Sequence, residues 1–520
     1  MFDVVLEGGW VVDGSGGPPF RADVALSGDR IAAIGQLADS PSAQHVSCAG
    51  RYLLPGFIDA HVHVEATVFD PEVQRAVLAQ GITTCVVGQD GLSFAPASPA
   101  AAAYADEYFG AVNGSWPAST PLPATIADLL ASYDGTTALN VGALVPQGNL
   151  RFDAVGSADQ PASAAHVEQM RAALEAALDE GAVGLSSGLD YLPGRFADAA
   201  ELSQLCAVAA RYGVPYVTHM RGYEAAAAAG MREVQAIAEA SGVAAHVSHY
   251  HGPANMLSGL VDDLRAGGID VTFDSYPYTA GSSILAMVAL PAGMQAAGPS
   301  VTAEHLADAE VRGDLLRGWF VDQAENLKRV RLSYVASDDY SWAEGLSLPE
   351  AAEHAGVTVG AFVCDVLVAA KLRVGCVFKH PPTNTDDDVR ALMRHPAHVG
   401  SSDGIYLGSK PHPRAWGAFA RFLGVHTREL GDWTWGEAAL HLSGHTARRF
   451  GLTDRGQLRT GFAADIVVLD PAAIADVATY ADPRRPAVGV DRVYVNGVLA
   501  FANGELTTAT PGLGLRRRTG

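Results

Sequence analysis

The sequence predicts an α/β fold, a (β/α)8 TIM-like barrel with a small β-sandwich domain formed by the N- and C-terminal segments. Apolar strands alternate with alanine-rich helices through the middle of the chain, both ends are β-like, and 520 residues suffice for a large barrel and a small module. The predicted domains are 1–54 for the first part of the sandwich, 55–450 for the barrel with an insertion near 286–328, and 451–520 for the second part of the sandwich and the C-terminal tail.

Both ends of the chain are predicted to be β-rich. Turn residues such as Ser27-Gly28-Asp29 break the first fifty residues into short runs, and Asn496-Gly497 between two apolar runs is a strong hairpin signal. Because one long middle segment separates these ends, we expect them to pair with each other. The predicted strands are Asp3–Leu6, Trp10–Val12, Asp23–Leu26, Arg30–Ile34, Asp465–Leu469, Val488–Val495 and Val498–Ala502.

The middle of the chain alternates strands with helices such as Pro161–Glu180 and Gly222–Ala240. This order predicts a parallel sheet, and about eight units over this length favour a closed barrel. The segment from Ala286 to Lys328 is long for one connection, which predicts an inserted cap over the barrel mouth. The predicted strands are Thr84–Val87, Leu139–Leu144, Gly184–Ser186, Val214–Thr218, Ala244–Ser248, Val271–Asp274, Arg331–Tyr334 and Ala397–Ser401.

Composition excludes several classes of protein. With 48% hydrophobic and 18% charged residues, the chain can bury a sizeable core. A net charge of −22 disfavours nucleic acid and membrane as partners, which leaves a small-molecule substrate and a possible homo-oligomer. The five cysteines are widely spaced and form no CxxC motif, so we expect reduced thiols and a cytoplasmic protein.

The clearest sign of chemistry is a His-x-His motif at a predicted strand end. Side chains two residues apart on a strand share one face, so His61 and His63 can bind one ion, although the motif alone would also fit two surface histidines. His219, His249 and Asp403 end later predicted strands, and such positions line one mouth of a barrel. Four histidines and one aspartate form a ligand set suited to zinc.

These motifs, in this order, resemble the amidohydrolase superfamily, and more narrowly the D-aminoacylase (N-acyl-D-amino-acid deacylase) family. The resemblance covers almost the whole chain. It implies zinc-dependent hydrolysis of a linear amide bond, most directly deacylation of an N-acyl-D-amino acid to a carboxylate and a free amino acid. The stretches that carry it are Leu54–His61, Gly184–Tyr191, Thr218–Arg221, Ser275–Tyr278, Ser402–Gly404, His412–Gly417, Thr446–Leu452, Ala464–Val468 and Tyr494–Gly497.

The resemblance also implies the roles of individual residues. His61 and His63 would hold one metal position, and His219 and His249 the other. Asp403 would be the catalytic residue that orients the attacking water and shuttles its proton.

Two further residues match family positions that bind the substrate. Arg414 matches an arginine that pairs with the substrate carboxylate, and Tyr191 matches a tyrosine that helps to hold this carboxylate. The alternative for Arg414 is a structural ion pair at the barrel rim.

The chain departs from the family pattern beside both sets of ligands. Asp90 stands where the family carries a cysteine ligand, and a carboxylate there can bridge two zinc ions, so we expect Asp90 to bind metal and two ions to be favoured over one. Cys85 lies within the preceding strand and is interpreted as a buried small hydrophobe. His251 replaces a lysine that reaches the substrate carboxylate, and histidine is a shorter and weaker partner for an anion.

Other functions remain open from the sequence. A cyclic-amide hydrolase, resembling hydantoinases or dihydroorotases, would need a carboxylated lysine, and the nearest candidate, Lys379, falls late in the predicted barrel. A dipeptidase-like amidohydrolase and a non-catalytic scaffold are further alternatives. A scaffold would be expected to lack metal ligands, which this chain retains.

Overall fold

The computed structural model describes residues 1–517, and Arg518–Gly520 of the predicted tail lie outside the described residues. Both chain ends join one nine-stranded sheet. Its N-terminal strand Phe2–Val11 pairs with Phe20–Ser27 and Tyr52–Pro55, and Tyr52–Pro55 pairs antiparallel with Ile466–Leu469. The prediction that the two ends pair is therefore confirmed. The other strands of this sheet are Arg30–Gly35, Ser42–Ser47, Val490–Val495, Val498–Ala502 and Glu505–Leu506.

The middle of the chain supplies parallel strands in two groups. In the first group, Asn140–Ala143 also pairs with the tail strand Gly514–Leu515, and past Leu144 alone the chain continues into Val145–Pro146 at the edge of the second group. The ladders of the described residues do not close into one ring. In spatial order the strands are Phe57–Asp59, Ile82–Val87, Asn140–Ala143 and Gly514–Leu515, then Val145–Pro146, Leu185–Gly188, Tyr216–His219, Ala245–Val247, Val271–Ser275 and His398–Gly400.

Helices alternate with these strands, as predicted. Ser163 caps the helix Ala164–Asp179 in a capping box with His166, and the turn Glu224–Ala226 precedes Ala227–Ser241, so both predicted helices begin later than the sequence pattern indicated. The other helices are Pro71–Leu78, Pro99–Asn113, Ile126–Tyr133, Gln147–Val155, Ala199–Arg211, Ala254–Ala266, Asp386–Met393, Arg414–Arg421, Trp435–Ala439 and His445–Arg449.

One predicted barrel strand belongs elsewhere. Arg331–Tyr334 lies in the strand Val330–Val335, which pairs antiparallel with Val374–Lys379, and the latter also pairs antiparallel with Ala280–Ile284. Assigning it to the parallel strands was wrong, because a short apolar run shows neither its partner nor its direction. We call residues 280–379 the antiparallel unit. Its helices are Leu285–Ala289, Pro299–Ala307, Ala309–Arg317, Trp319–Asp322, Ala324–Leu327, Leu348–Ala355 and Val359–Ala369.

All five cysteines are free thiols in buried positions. Within residues 1–517, no single helix is both long enough and apolar enough to cross a membrane. The helices Leu348–Ala355 and Val359–Ala369 reach that length only as a pair bent by 87°, and their apolar side chains pack in the core of the antiparallel unit.

Candidate metal centre

The two histidines of the His-x-His motif meet the aspartate that follows the last parallel strand. His61 and His63 are both buried. His61 precedes the short strand Val62–His63, which pairs with Gly404–Ile405. Oδ1 of Asp403 lies 3.7 Å from Nε2 of His61 and 3.4 Å from Nε2 of His63. Their potential ligand atoms all lie within 4.8 Å of one another, which is close enough for one ion.

A second set of potential ligands surrounds Asp90. Its Oδ1 lies 3.6 Å from Nε2 of His61, 3.7 Å from Nε2 of His249 and 3.9 Å from Nδ1 of His219. Its Oδ2 lies 3.8 Å from Nε2 of His63. The Asp90 carboxylate therefore faces both histidine pairs, and the structure brings together all the residues predicted to bind metal. We call them the ligand group: His61, His63, Asp90, His219, His249 and Asp403.

The ligand group fits a metal by the chemistry of its unpartnered atoms. Both ring nitrogens of His61 and Oδ1 of Asp90 are buried without a hydrogen-bond partner. Buried polar atoms in proteins are nearly always partnered, so these atoms indicate a ligand at this position. Imidazole nitrogens and carboxylate oxygens are donors that zinc accepts. The residues present therefore fit one or two zinc ions.

Backbone strain is concentrated in the ligand group. Asp90 (φ 56°), His249 (φ 35°) and Asp403 (φ 46°) are three of the eight non-glycine residues with positive φ in the described chain. Such conformations cost about 1–3 kcal/mol each and persist where the surrounding structure enforces them. The backbone thus holds three potential ligands in conformations that it would not adopt freely.

The turn that presents Asp90 requires its flanking glycines. A Cβ added to Gly88 (φ 80°) would lie 2.6 Å from the carbonyl oxygen of Leu144, and one added to Gly91 (φ 73°) would lie 2.8 Å from the backbone nitrogen of Gly188. Both distances are too short for a side chain. The adjacent strands therefore approach closely enough to fix Asp90 between the histidines.

Asp274, which no sequence motif marks, contacts two members of the ligand group and a neighbouring histidine. Its Oδ1 accepts hydrogen bonds from the backbone N–H of His249 (3.0 Å) and the hydroxyl of Ser401 (2.6 Å). Its Oδ2 lies 3.0 Å from Nε2 of His246 and 3.7 Å from Nδ1 of His61. His246 is fully buried. The position of Asp274 near a strand end was the one available sequence signal.

Two more partners orient ligand histidines and were also missed. Oδ1 of Asn113 lies 2.9 Å from Nδ1 of His63, and Oδ2 of Asp190 lies 3.3 Å from Nε2 of His219. Partners of this kind fix the ring orientation and tautomer of metal-binding histidines. Asn113 ends a helix and Asp190 lies in a loop, where no periodic pattern marks them.

The electrostatics keep both aspartates ionised. Burial opposes ionisation of Asp403, but Arg414, with Nη2 2.8 Å from Oδ2, and the nearby histidines outweigh burial and lower the pKa of Asp403 to about 2. Burial likewise opposes ionisation of Asp90, and His61 and the other histidines hold its pKa well below the usual range.

Arg414 is fully buried and contacts the predicted catalytic residue. Its guanidinium lies 4.3 Å from the ring centre of Tyr276, and its Nε and Nη1 atoms have no hydrogen-bond partner. Arg414 thus forms a structural ion pair, which was the alternative to substrate binding. It also has free donors that a substrate carboxylate could use. Tyr191 places its hydroxyl 2.8 Å from Oγ of Ser283 in the antiparallel unit.

His251 is a neutral residue that lines a small cavity beside the ligand group. We call the part of this lining formed by Tyr191, His251 and His380 the wall. Nδ1 of His251 donates to the carbonyl of His249 (2.7 Å), and its ring stacks on Tyr223 and on His380, 4.2 Å away between ring centres. Burial lowers the pKa of His251 to about 3. The imidazole therefore supplies no positive charge at neutral pH.

A small cavity of about 50 Å³ joins the ligand group to this wall. Its lining includes Asp90, Tyr191, His251, His380 and Asp403. A larger cavity of about 720 Å³ lies on the other side of His380. His380 lines both cavities.

The sequence matches the model of the amidohydrolase family over residues 44–501. The chain belongs to this family. It is similar to N-acyl-D-glutamate deacylase of Alcaligenes xylosoxydans xylosoxydans, at 34% identity over 99% of this chain and 96% of that protein. It is also similar to D-aminoacylase of the same organism, at 31% identity over 95% of this chain and 94% of that protein.

Solved structures place this amidohydrolase beside the same enzymes. The structure of N-acyl-D-glutamate deacylase from Bordetella bronchiseptica, complexed with zinc and a phosphonate inhibitor, is 33% identical, with a TM-score of 0.83 over 99% of both chains. A D-aminoacylase structure is 29% identical, with a TM-score of 0.82 over 99% of this amidohydrolase and 100% of that chain. A D-hydantoinase at 16% identity has a TM-score of 0.58 over 99% of both chains, which shows a shared fold alone.

Proposed function

We propose that this amidohydrolase hydrolyses the amide bond of N-acyl-D-amino acids and releases a carboxylate and the free amino acid. The observation that carries the proposal is the ligand group, in which four histidines and two aspartates converge with buried, unpartnered donor atoms. The similarity to N-acyl-D-glutamate deacylase and D-aminoacylase over nearly the whole chain supports the same reaction class.

The ligand group would hold zinc in two positions, His61 with His63 and His219 with His249. Asp90 is suited to join them, because its two oxygens face both pairs. Bound zinc acidifies a water molecule toward a pKa of about 7 and polarises a carbonyl oxygen. A D-aminoacylase structure is described by one-metal activation and second-metal attenuation, so occupancy of the two positions is the property to measure.

Asp403 is suited to move the proton. Arg414 occupies its Oδ2 and keeps the carboxylate ionised, which leaves Oδ1 toward the histidines to accept a proton from the attacking water. The same oxygen would then protonate the departing nitrogen, because an amine leaves poorly as an anion.

A carboxylate on the substrate would be held by Arg414 and Tyr191. Arg414 has unpartnered donors at Nε and Nη1, and either one, together with the second hydrogen of Nη2, forms a planar edge that matches a carboxylate. His251 is neutral, so its contact with the substrate would be a hydrogen bond or packing. Lys379, the candidate for a cyclic-amide hydrolase, ends a strand of the antiparallel unit and lines the larger cavity, which disfavours that alternative.

The same proposal covers the architecture. We propose that Phe57–Asp59 and His398–Gly400 close a (β/α)8 barrel, because the backbone N–H of Asp403 donates to the carbonyl of His61 (2.8 Å) and that of Ser402 to Oδ1 of Asp59 (2.9 Å). The proposed limits are 1–54 and 451–520 for a terminal sandwich and 55–450 for the barrel, except that the tail strand Gly514–Leu515 pairs with Asn140–Ala143 of the barrel. The insertion near 286–328 would extend over the whole antiparallel unit.

The free cysteines and the charge suggest where the enzyme works. Five buried thiols fit a reducing compartment, so we propose a cytoplasmic location. The net charge of −22 opposes binding to nucleic acid or anionic membrane.

A substrate panel tests the proposed function. N-acetyl-D-amino acids, their L-enantiomers, dipeptides and hydantoins would be compared by kcat/KM with zinc-loaded enzyme, and Asp403→Asn would serve as the background. We expect D-enantiomers with an acidic or apolar side chain to be the best substrates. Turnover of hydantoins without turnover of linear N-acyl amino acids would overturn the proposal.

A further inference from the structure

A second cluster of potential metal ligands lies in the cavity wall, outside the ligand group. Glu224, His251 and His380 place one ligand atom each within 4.8 Å of one another. We propose that these three residues, the wall site, bind a divalent cation of the zinc class. Metal binding at the wall site does not depend on the proposed function.

Three separate elements build the wall site. Glu224 follows the strand Tyr216–His219, His251 follows Ala245–Val247, and His380 follows Val374–Lys379 of the antiparallel unit. Ligands from separate elements can bind an ion only if the fold brings the elements together, and a bound ion would in turn tie the antiparallel unit to the parallel strands.

The backbone around Glu224 is arranged to admit its carboxylate. Glu224 has φ 53°, in the left-handed region that a glutamate rarely adopts. A Cβ added to the neighbouring Gly252 (φ 136°) would lie 3.2 Å from both Cα and Oε2 of Glu224. Glycine at position 252 therefore allows the close approach of Glu224 to the segment that carries His251.

Unpartnered atoms indicate a ligand at the wall site. Oε1 of Glu224 and Nε2 of His380 are buried without a hydrogen-bond partner, and the His380 side chain is only 7% exposed. Unsatisfied buried polar groups are costly, and such groups are usually partnered by protein, water or an ion. Because the two atoms belong to a potential ligand set, a cation would satisfy both at once.

In each of the two imidazoles, the partner of Nδ1 decides whether Nε2 has a lone pair for a metal ion. Nδ1 of His251 faces the carbonyl of His249, so Nδ1 carries the proton and Nε2 keeps its lone pair. Nδ1 of His380 lies 2.6 Å from the side-chain amide of Asn384. The amide atom at this contact is Nδ2, which donates and so leaves the proton of His380 on Nε2. Metal binding through Nε2 therefore requires the Asn384 amide to flip, which would bring its buried, unpartnered Oδ1 to Nδ1 and free the lone pair of Nε2.

Two imidazole nitrogens and one carboxylate leave one open position in a tetrahedral zinc site. A cation held there would place positive charge beside two neutral histidines that line the cavity shared with the ligand group. A substrate carboxylate is a suitable fourth ligand. This last consequence alone rests on the proposed function.

Equilibrium dialysis against a zinc series, followed by elemental analysis, tests the wall site. We compare the full chain with Glu224→Gln and His380→Gln, and use His395→Gln as the matched control, since His395 is a buried histidine paired with Asp262. At saturating zinc the wild type and the control should bind about one ion more per chain than Glu224→Gln or His380→Gln. A site with three ligands loses most of its affinity for the ion when one ligand is removed.

The zinc content alone decides the outcome, so no measurement of enzyme activity is needed. Equal zinc stoichiometry in wild type, Glu224→Gln and His380→Gln would overturn the wall site, whatever the enzyme hydrolyses. If His380→Gln fails to fold, Glu224→Gln decides alone, because Glu224 is only half-buried. Failure of the proposed function would appear in the substrate panel and would leave the difference in zinc content between the variants unchanged.

Discussion

The two ends of the small cavity differ in how their polar groups are arranged. The ligand group is charged, strained and supported by Asp274, Asn113 and Asp190. The wall, by contrast, has neutral, stacked rings drawn partly from the antiparallel unit. Each end has one departure from the family pattern. In the ligand group, Asp90 is still a side chain that can bind metal, whereas in the wall His251 is a neutral ring in place of a charged lysine. The reaction class should therefore be robust, and the choice of substrate should be set by the wall.

The largest expected effect is at Asp403. Asp403→Asn removes the proton acceptor but keeps the size of the side chain, so kcat should fall by about 10²–10⁴-fold. The melting temperature should also fall, because the buried Arg414 loses its charged partner. Steady-state kinetics at saturating zinc and a thermal melt measure both effects. Retention of about a tenth of the activity would mean that another group accepts the proton.

Loss of the Asp90 carboxylate should lower the metal content more than it affects the fold. Asp90→Ala removes the carboxylate between the two histidine pairs, and we expect about one zinc fewer per chain at moderate zinc concentrations. Elemental analysis after dialysis gives the stoichiometry. Asp90→Asn, which keeps one oxygen, should lose less metal than Asp90→Ala. Unchanged stoichiometry in both variants would make Asp90 a turn residue.

Arg414 pairs with Asp403 and has unpartnered donors, so a variant of it tests whether these donors bind the substrate carboxylate. Arg414→Lys loses the planar fork, and KM for an N-acetyl amino acid should rise by about 10–100-fold, since hydrogen bonds to charged groups contribute about 1.5–3 kcal/mol. The matched measurement uses the carboxamide of the same amino acid, whose KM should change far less. Equal kcat/KM for acid and carboxamide in the wild type would refute a carboxylate contact.

Arg414 should also set the acid limit of activity. Asp403 works as a base only when ionised, and its pKa of about 2 keeps it ionised at all ordinary pH values. Arg414→Gln removes the main group that lowers this pKa, so loss of kcat/KM through protonation of Asp403 should move to higher pH. A pH–rate profile from pH 4 upward records the shift. An unchanged acid limb would assign that limb to another group.

The sequence indicated which residues of the ligand group would lie together because its signals are local. His61 and His63 are two residues apart directly after the strand Phe57–Asp59, and His219, His249 and Asp403 end or follow apolar runs that proved to be parallel strands. Alternating strands and helices then fix which residues gather at one mouth.

The rest depended on contacts between distant parts of the chain. The strand Val330–Val335 looks like a barrel strand until its antiparallel partners are known. Asp274 was visible as a strand-end residue, but its four contacts were not. His380 follows a strand of the antiparallel unit and joins His251 across more than a hundred residues, and no spacing in the sequence marks such a pair.

The smallest expected effect is at Tyr191, in the wall. Its hydroxyl contacts Ser283, and a hydrogen bond contributes about 0.5–1.5 kcal/mol, so Tyr191→Phe should raise KM for a free-acid substrate roughly 2–10-fold and leave kcat nearly unchanged. Tyr133→Phe is the matched control, since Tyr133 is also buried but donates to the backbone carbonyl of Glu65. If Tyr191 helps to hold a carboxylate, the increase in KM should vanish for the carboxamide substrate. An equal increase for both substrates would instead mean that Tyr191 only positions Ser283 and the antiparallel unit, so that the wall recognises the shape of the substrate and leaves its charge to Arg414.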